Sequence, residues 1–139
     1  MESIVEKRFE YKGLPCVILF NPLGYRTGYV GVPKGKKIDI TSIECHGGIT
    51  FKGKNLMGRK DRWEGTWIGF DCGHAGDGRD PELTAKYWPD NKLMAQVVEG
   101  FRRKFPGPAK SLKFCEEECK GIADQIHDLN VIGAGGPAR

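Results

Sequence analysis

The chain has 139 residues, of which 39% are hydrophobic and 29% charged, and its formal net charge is +4. This length suits a single domain that buries a hydrophobic core without disulfides. The apolar runs fall well short of the roughly 18 residues that cross a bilayer, and the first residues lack the apolar block of a signal peptide. We therefore expect a soluble, cytoplasmic protein with no membrane partner.

The first part of the chain has the pattern of a β-rich structure. Fourteen of the 20 glycines fall before residue 79, among short runs of β-branched and aromatic residues. This is typical of strands joined by tight turns. We expect about six antiparallel strands within residues 1–80: Lys7–Lys12, Pro15–Phe20, Thr27–Val32, Lys37–Glu44, Ile49–Lys52 and Thr66–Cys72.

Residues 81–130 have helical periodicity, beginning with a short helical turn that ends near Tyr87. Asn91–Phe105 has apolar residues at i, i+4 and i+8, and Ser111 is the expected N-cap of a second helix. A flexible tail is expected over residues 131–139. The predicted fold class is α+β, with two C-terminal helices packed on the sheet of one domain over residues 1–139. The apolar stripe of the last helix comprises Leu112, Cys115, Cys119, Ile122, Ile126 and Leu129.

Charge is unevenly distributed along the chain. Residues 1–62 contain 12 Lys and Arg against 6 Asp and Glu, whereas residues 63–139 contain 10 against 12. A basic half of this kind attracts an anionic ligand or nucleic acid. The alternative is a set of solvated hairpin loops. The basic residues include Lys34, Lys36, Lys37, Lys52, Lys54, Arg59, Lys60 and Arg62.

Two short polar clusters stand out, Cys45-His46-Gly47-Gly48-Ile49-Thr50 and Gly69-Phe70-Asp71-Cys72-Gly73-His74-Ala75-Gly76-Asp77. They contain two of the three histidines, two of the five cysteines and a pair of aspartates, among glycines typical of turns. Such a mixture of polar and ionisable residues is unusual in a hydrophobic core. The clusters therefore indicate a site for binding or catalysis.

Strand alternation assigns both cysteines of these clusters to the core. Cys72 falls on the same face of its predicted strand as Ile68 and Phe70, and Cys45 likewise falls on an apolar face. An odd number of cysteines in a reducing compartment also favours buried thiols or metal ligands over disulfides. A structural zinc site of both cysteines and both histidines is disfavoured, because Cys45 and His46 are adjacent whereas such ligands are usually two to four residues apart.

The polar residues that remain are the candidates for chemistry. His46, Asp71 and His74 are the expected catalytic residues and metal ligands, because imidazole and carboxylate hold a divalent zinc, manganese or iron ion or act as general acid and base. Simple recognition of a ligand is a third use, and aspartates that only cap turns are the structural alternative. The expected ligand-binding residues are Arg26, Tyr29, Glu44, Thr50, Trp67 and Asp77.

The same stretches resemble a group of small bacteriophage and prophage proteins. The match lies within residues 1–80, in Gly28-Tyr29-Val30-Gly31-Val32-Pro33, in His46-Gly47-Gly48-Ile49-Thr50-Phe51, and in Trp67-Ile68-Gly69-Phe70-Asp71 followed by His74 and Asp77. Where the group commonly has a tryptophan pair before Gly-Phe-Asp, this chain has Thr66 in place of the first. The resemblance implies a phage protein in the host cytoplasm, where small proteins of this kind often counter host defence.

These observations support two expectations about function. The first is a pocket that binds a nucleotide-like or phosphate-bearing small molecule and either hydrolyses it or sequesters it as a host signalling nucleotide. The alternative is an inhibitor that binds a host protein or nucleic acid through the basic half of the chain. A homo-oligomer is compatible with both, since small proteins often build pockets at symmetric interfaces.

Overall fold

The computed structural model describes residues 1–56 and 63–135, with side chains described through residue 129. Within these residues, five strands form one antiparallel sheet and three α-helices follow it, which confirms the predicted α+β class. The strands are β1 (Ile4–Tyr11), β2 (Leu14–Phe20), β3 (Arg26–Val32), β4 (Phe51–Gly53) and β5 (Thr66–Asp71), and the helices are α1 (Pro81–Tyr87), α2 (Lys92–Lys104) and α3 (Leu112–Gly135).

The strands are ordered β1-β2-β3-β5-β4, and each neighbouring pair is antiparallel. β1 and β2 are joined by Lys12 and Gly13, whose φ angles of 51° and 79° suit a tight two-residue hairpin turn. In the β3–β5 pair, Thr27 lies opposite Asp71. This register sets the end of β5 beside the start of β3.

The predicted strand Lys37–Glu44 is wrong. The Asp39 carboxylate accepts hydrogen bonds from the Thr41 N–H (3.0 Å) and the Thr41 hydroxyl (2.6 Å), and Ile40–Ser42 forms one turn of 3-10 helix. Local bonds of this kind compete with the ladder of a sheet. The isoleucines of this segment pack onto the core without pairing with the sheet.

One face of the sheet packs against α3. The predicted stripe of this helix is buried at Cys115, Cys119, Ile122 and Ile126, which are at most 1% exposed. The five cysteines are free thiols, and four of them are buried. Cys45, also expected in the core, is half-buried and packs against it. On the sheet, α3 meets side chains that include Cys16, Ile18, Val30, Ile68, Phe70 and Cys72.

The opposite face of the sheet is also apolar. It carries a second buried cluster that includes Val17, Leu19, Tyr29 and Trp67. Leu56 and Trp63, from the segment between β4 and β5, cover this cluster. β5 is therefore buried on both faces along most of its length.

The helices begin close to where the sequence predicts. Asp80, Asn91 and Ser111 each accept a hydrogen bond from a backbone N–H of the first turn of α1, α2 and α3. α2 packs against α1, and α3 continues to Gly135, beyond the expected end at residue 130. Residues 136–139 of the expected tail lie outside the described residues. Among the described helices, none combines the length and hydropathy of a membrane span.

Gly28 of β3 is expected to tolerate no side chain. A Cβ at this position would lie 2.5 Å from the ring of Phe70 and 3.0 Å from the Sγ of Cys119. Because the interior is close-packed, Gly28→Ala should lower the free energy of unfolding by about 2 kcal/mol. As a control, Gly121→Ala, in open space on α3, should raise it by up to about 1 kcal/mol. Equal stabilities of the two variants in denaturant titrations would contradict this packing.

Candidate functional site

The two polar clusters of the sequence form two tight turns. In the first, the Gly48 N–H donates to the Cys45 carbonyl at 3.0 Å, and in the second the Asp77 N–H donates to the His74 carbonyl at 3.0 Å. The third residue of each turn is a glycine with positive φ, as a type II turn requires. The glycines of the motifs therefore shape the loops that present the histidines.

Long-range contacts hold both turns in position. The backbone N–H of His46 donates to Oε1 of Glu118, on α3, at 2.7 Å. In the second loop, Nη1 of Arg79 donates to the carbonyl of Asp77 at 3.0 Å, and the Arg79 guanidinium lies over two aromatic rings. The first turn is thereby tied to α3, and the second is fixed by a buried arginine.

Asp77 is the centre of the first histidine–aspartate pair, with 1% of its side chain exposed. Both of its carboxylate oxygens lie 2.9 Å from Nε2 of His46. Oδ2 also accepts the backbone N–H of His74 at 3.1 Å, and Oδ1 lies 3.3 Å from Nζ of Lys110. Hydrogen-bond donors thus surround this buried carboxylate.

These donors keep Asp77 ionised at neutral pH. Burial raises the pKa of this carboxyl group, but the hydrogen bonds from His46, His74 and Lys110 outweigh burial and leave the pKa of Asp77 below its usual 3.8. A carboxylate that accepts from Nε2 gives the neutral His46 ring its lone pair on Nδ1. Within the described residues, Nδ1 has no hydrogen-bond partner, so it is the atom that can contact a ligand.

Asp71, the last residue of β5, faces the second histidine. Its Oδ1 lies 3.3 Å from Nε2 of His74 and accepts the Gly73 N–H at 2.9 Å, and its Oδ2 accepts the Thr50 hydroxyl at 2.9 Å. The contact with His74 is not a hydrogen bond, because Nε2 of His74 is buried without a hydrogen-bond partner among the described residues. Asp71 therefore orients His74 more loosely than Asp77 orients His46.

The two imidazole rings lie edge to face, with their centroids 6.1 Å apart. Phe114, in the first turn of α3, packs against the other side of the group with its ring centroid 5.3 Å from that of His46. Gly47 allows the ring of His74 to lie close to the first turn, since a Cβ at position 47 would overlap Nε2 of His74. The structure thus brings together five predicted site residues, which are His46, Thr50, Asp71, His74 and Asp77.

Arg26, an expected ligand-binding residue, makes structural contacts within the protein instead. Its Nε lies 2.6 Å from Oε1 of Glu6, and its Nη1 donates to the Lys110 carbonyl at 2.9 Å. The Tyr87 hydroxyl donates to the other oxygen of Glu6 at 2.6 Å. Because these side chains are largely buried, Arg26 serves to link β1, β3, α1 and the segment before α3.

Tyr29 and Trp67 are core residues and do not line a ligand pocket with the histidines. Both are 2% exposed and lie in the cluster on the opposite face of the sheet. The strand expected to end at Glu44 does not form. Glu44 is exposed, and its backbone N–H and carbonyl both bond to the side chain of Gln125, at 2.8 and 2.7 Å. In the described part of the chain, its carboxylate makes no hydrogen bond or ion pair.

Sequence reasoning missed three residues of this site, Arg79, Lys110 and Phe114. Arg79 follows the second motif by two positions, and this proximity is the only local signal for it. Lys110 and Phe114 flank the N-cap of α3, where a lysine and an aromatic residue have ordinary structural explanations. Their role depends on where α3 begins relative to Asp77, which is a tertiary contact.

The thiols near the cluster are not arranged as metal ligands. Sγ of Cys72 lies 3.7 Å from Sγ of Cys115, and the hydrogen bond between them together with burial raises the pKa of Cys72. A protonated thiol is a poor zinc ligand. Within residues 1–56 and 63–129, no group of three or more His, Cys, Asp or Glu side chains is arranged to hold a metal ion.

Comparison of the chain with protein-family models, with curated proteins and with solved structures finds no match. The assignment of function therefore depends on the two histidine–aspartate pairs and on the residues around them.

Proposed function

We propose that the cluster of His46, Asp71, His74 and Asp77 binds a nucleotide-like or phosphate-bearing small molecule and, in an enzymatic form, hydrolyses it. The observation that carries this proposal is the pairing of each imidazole with its own carboxylate, with the two rings 6.1 Å apart. Two separately oriented imidazoles allow one ring to act as base and the other as acid near neutral pH.

Positive charge near the rings offsets the carboxylates of Asp71 and Asp77. Lys110 lies 3.3 Å from Asp77 and compensates its negative charge. The first turn of α3, which contacts His46 through Phe114, contributes the positive end of a long helix dipole. Both features stabilise a phosphate group near the exposed edges of the imidazoles.

In the hydrolytic form, His46 accepts a proton at Nδ1 from a water molecule whose oxygen bonds to phosphorus. The bond between phosphorus and the leaving oxygen breaks, and protonated His74 gives that oxygen a proton. Asp77 positions His46, and Asp71 positions His74. In the sequestering form, the same contacts hold the ligand and no bond is cleaved.

A metal-dependent form of the proposal uses His46, Asp71 and His74 as ligands of a divalent zinc, manganese or iron ion. Such an ion supplies an activated water at neutral pH. We favour the form without metal, because these side chains, like the others within residues 1–56 and 63–129, form no group of three or more arranged to hold an ion.

The test is calorimetric titration of the purified protein with cyclic and ADP-ribose-type nucleotides, followed by chromatography of the products with and without EDTA. The resemblance to phage proteins makes host signalling nucleotides the first ligands to test. We expect binding that His46→Ala and His74→Ala each weaken by about tenfold or more, because each removes a charge-assisted hydrogen bond. His127→Ala is the matched control, since this exposed histidine on α3 pairs with Asp128.

The outcomes separate the forms of the proposal. Product formation that EDTA abolishes supports the metal-dependent form, and product formation that EDTA leaves unchanged supports acid–base catalysis. Binding without product supports sequestration. Absence of both binding and turnover contradicts all three, as does an equal loss of binding in His127→Ala.

The alternative proposal is binding of a nucleic acid or a host protein through the basic half of the chain. The observation in its favour is that Lys34, Lys37, Lys52 and Lys54 are all exposed. Arg59, Lys60 and Arg62 lie outside the described residues. This alternative predicts a steep dependence of binding on salt and a loss of binding when Lys52 and Lys54 are reversed in charge, with no effect of His46→Ala.

A further inference from the structure

A cavity of about 440 Å³ opens between the segment after β3 and the β4–β5 edge of the sheet. Three lysines line it, Lys36, Lys37 and Lys52, together with the hydroxyl-bearing Thr66. It shares no lining residue with the histidine cluster. We propose that this cavity is a separate binding site for a small organic phosphate.

The fold brings these lysines together from two distant parts of the chain. Lys52 lies opposite Ile68 in the β4–β5 pair, so both side chains point to the same face of the sheet. Lys36 and Lys37 follow β3 in a turn closed by the bond from the Lys36 N–H to the Pro33 carbonyl at 3.1 Å. The cavity lies where this turn faces the sheet edge.

Among the described residues, no carboxylate forms an ion pair with the two exposed lysines of the cavity, Lys37 and Lys52. None of its lining residues, all within the described ranges, is acidic. Asp39, which follows the lysines closely in sequence, bonds to Thr41. Ammonium groups that share one cavity repel each other, and a bound anion relieves this repulsion.

The shape and lining of the cavity define the class of ligand. Its volume falls in the range of roughly 300 to 1,000 Å³ that is usual for small-molecule sites. Lysine binds phosphate as a point charge, and Thr66 offers a hydroxyl. The remaining lining is aliphatic, with Ile38 and Ile68 among it and no aromatic ring to stack on a base. This chemistry favours a phosphate on an aliphatic or sugar skeleton over a nucleobase.

The test is calorimetric titration at low salt with glycerol 3-phosphate and inorganic pyrophosphate as probes. We expect Lys37→Gln combined with Lys52→Gln to weaken binding by about tenfold or more, because two charge-assisted contacts are removed. The matched control combines Lys34→Gln with Lys54→Gln. These exposed lysines are close in sequence, carry the same charge and do not line the cavity, so binding should stay within about twofold of the wild type.

Three results would overturn the proposal. The first is that the wild type binds neither probe at millimolar concentration. The second is that both double variants lose the same amount of binding affinity. The third is that a short single-stranded oligonucleotide binds more tightly than the probes and depends equally on all four lysines. Because the histidine cluster is itself proposed to bind phosphate, the lysine double variant is compared with His46→Ala. Loss of glycerol 3-phosphate binding in His46→Ala, with none in Lys37→Gln combined with Lys52→Gln, would assign this probe to the histidine cluster and would likewise overturn the cavity site.

Discussion

Asp77→Asn is expected to lower the free energy of unfolding by about 3 kcal/mol, because it removes the charge from a buried, paired carboxylate. The side chain is 1% exposed and faces donors from His46, His74 and Lys110. An asparagine keeps one acceptor oxygen but turns an NH₂ group toward these donors. Lys110 then lacks its counter-charge in a partly buried place.

Denaturant titration of Asp77→Asn beside Asp128→Asn measures this effect. Asp128 also pairs with a histidine, His127, but its side chain is 70% exposed. Exposed pairs of this kind contribute about 0.5 kcal/mol or less. An equal loss of stability in both variants would contradict a large stabilising contribution of the buried pair of His46 and Asp77.

The stabilisation by Asp77 should also depend on pH. Its folded-state pKa is lower than the unfolded value, so its contribution is present above the unfolded pKa and is lost as the pH falls through the folded pKa. The difference in stability between the wild type and Asp77→Asn should therefore shrink below about pH 4. A difference that does not shrink on acidification below this pH would contradict this assignment.

Gly47→Ala is expected to weaken ligand binding at the histidine cluster by about tenfold, as the loss of one charge-assisted hydrogen bond would. The new Cβ would overlap Nε2 of His74 and force that ring to move. Gly48→Ala is a close control. Gly48 has a φ of 77° against 71° for Gly47, yet open space surrounds it.

The two variants should therefore share the same backbone strain, about 1 kcal/mol each, and differ only in the contact with His74. Binding of the nucleotide found for the wild type is the measurement, with thermal unfolding as the check on strain. Equal binding by Gly47→Ala and Gly48→Ala would show that the position of His74 has no part in recognition.

The sequence pattern predicts the faces of β5 correctly. Ile68, Phe70 and Cys72 pack against α3, and Trp67 lies on the other side, as period-two alternation requires. The expectation that Trp67 lies with the histidines in a ligand site is wrong, because Leu56 and Trp63 cover this face of the sheet. Neither residue belongs to a periodic run, so their packing has no local signal.

Two other differences from expectation have equally specific causes. Ile38 and Ile40 alternate like strand residues, but Asp39 between them bonds to Thr41 and turns the chain. Arg26 has its carboxylate partner in Glu6 of β1, beyond the intervening β2, rather than in a ligand. By contrast, the glycines of the two turns are visible in the sequence, whereas the convergence of His46 with Asp77 depends on long-range contacts such as that of the His46 N–H with Glu118.

The two edges of the sheet have a consequence for how this protein behaves at high concentration. β4, at one edge, has only three residues, with Lys52 in its centre and Lys54 just after it. β1, at the other edge, carries several charged side chains and an irregular register between Val5 and Lys7. Short, charged and irregular edges oppose the addition of a strand from another molecule. The chain thereby protects a sheet with two apolar faces against edge-to-edge aggregation.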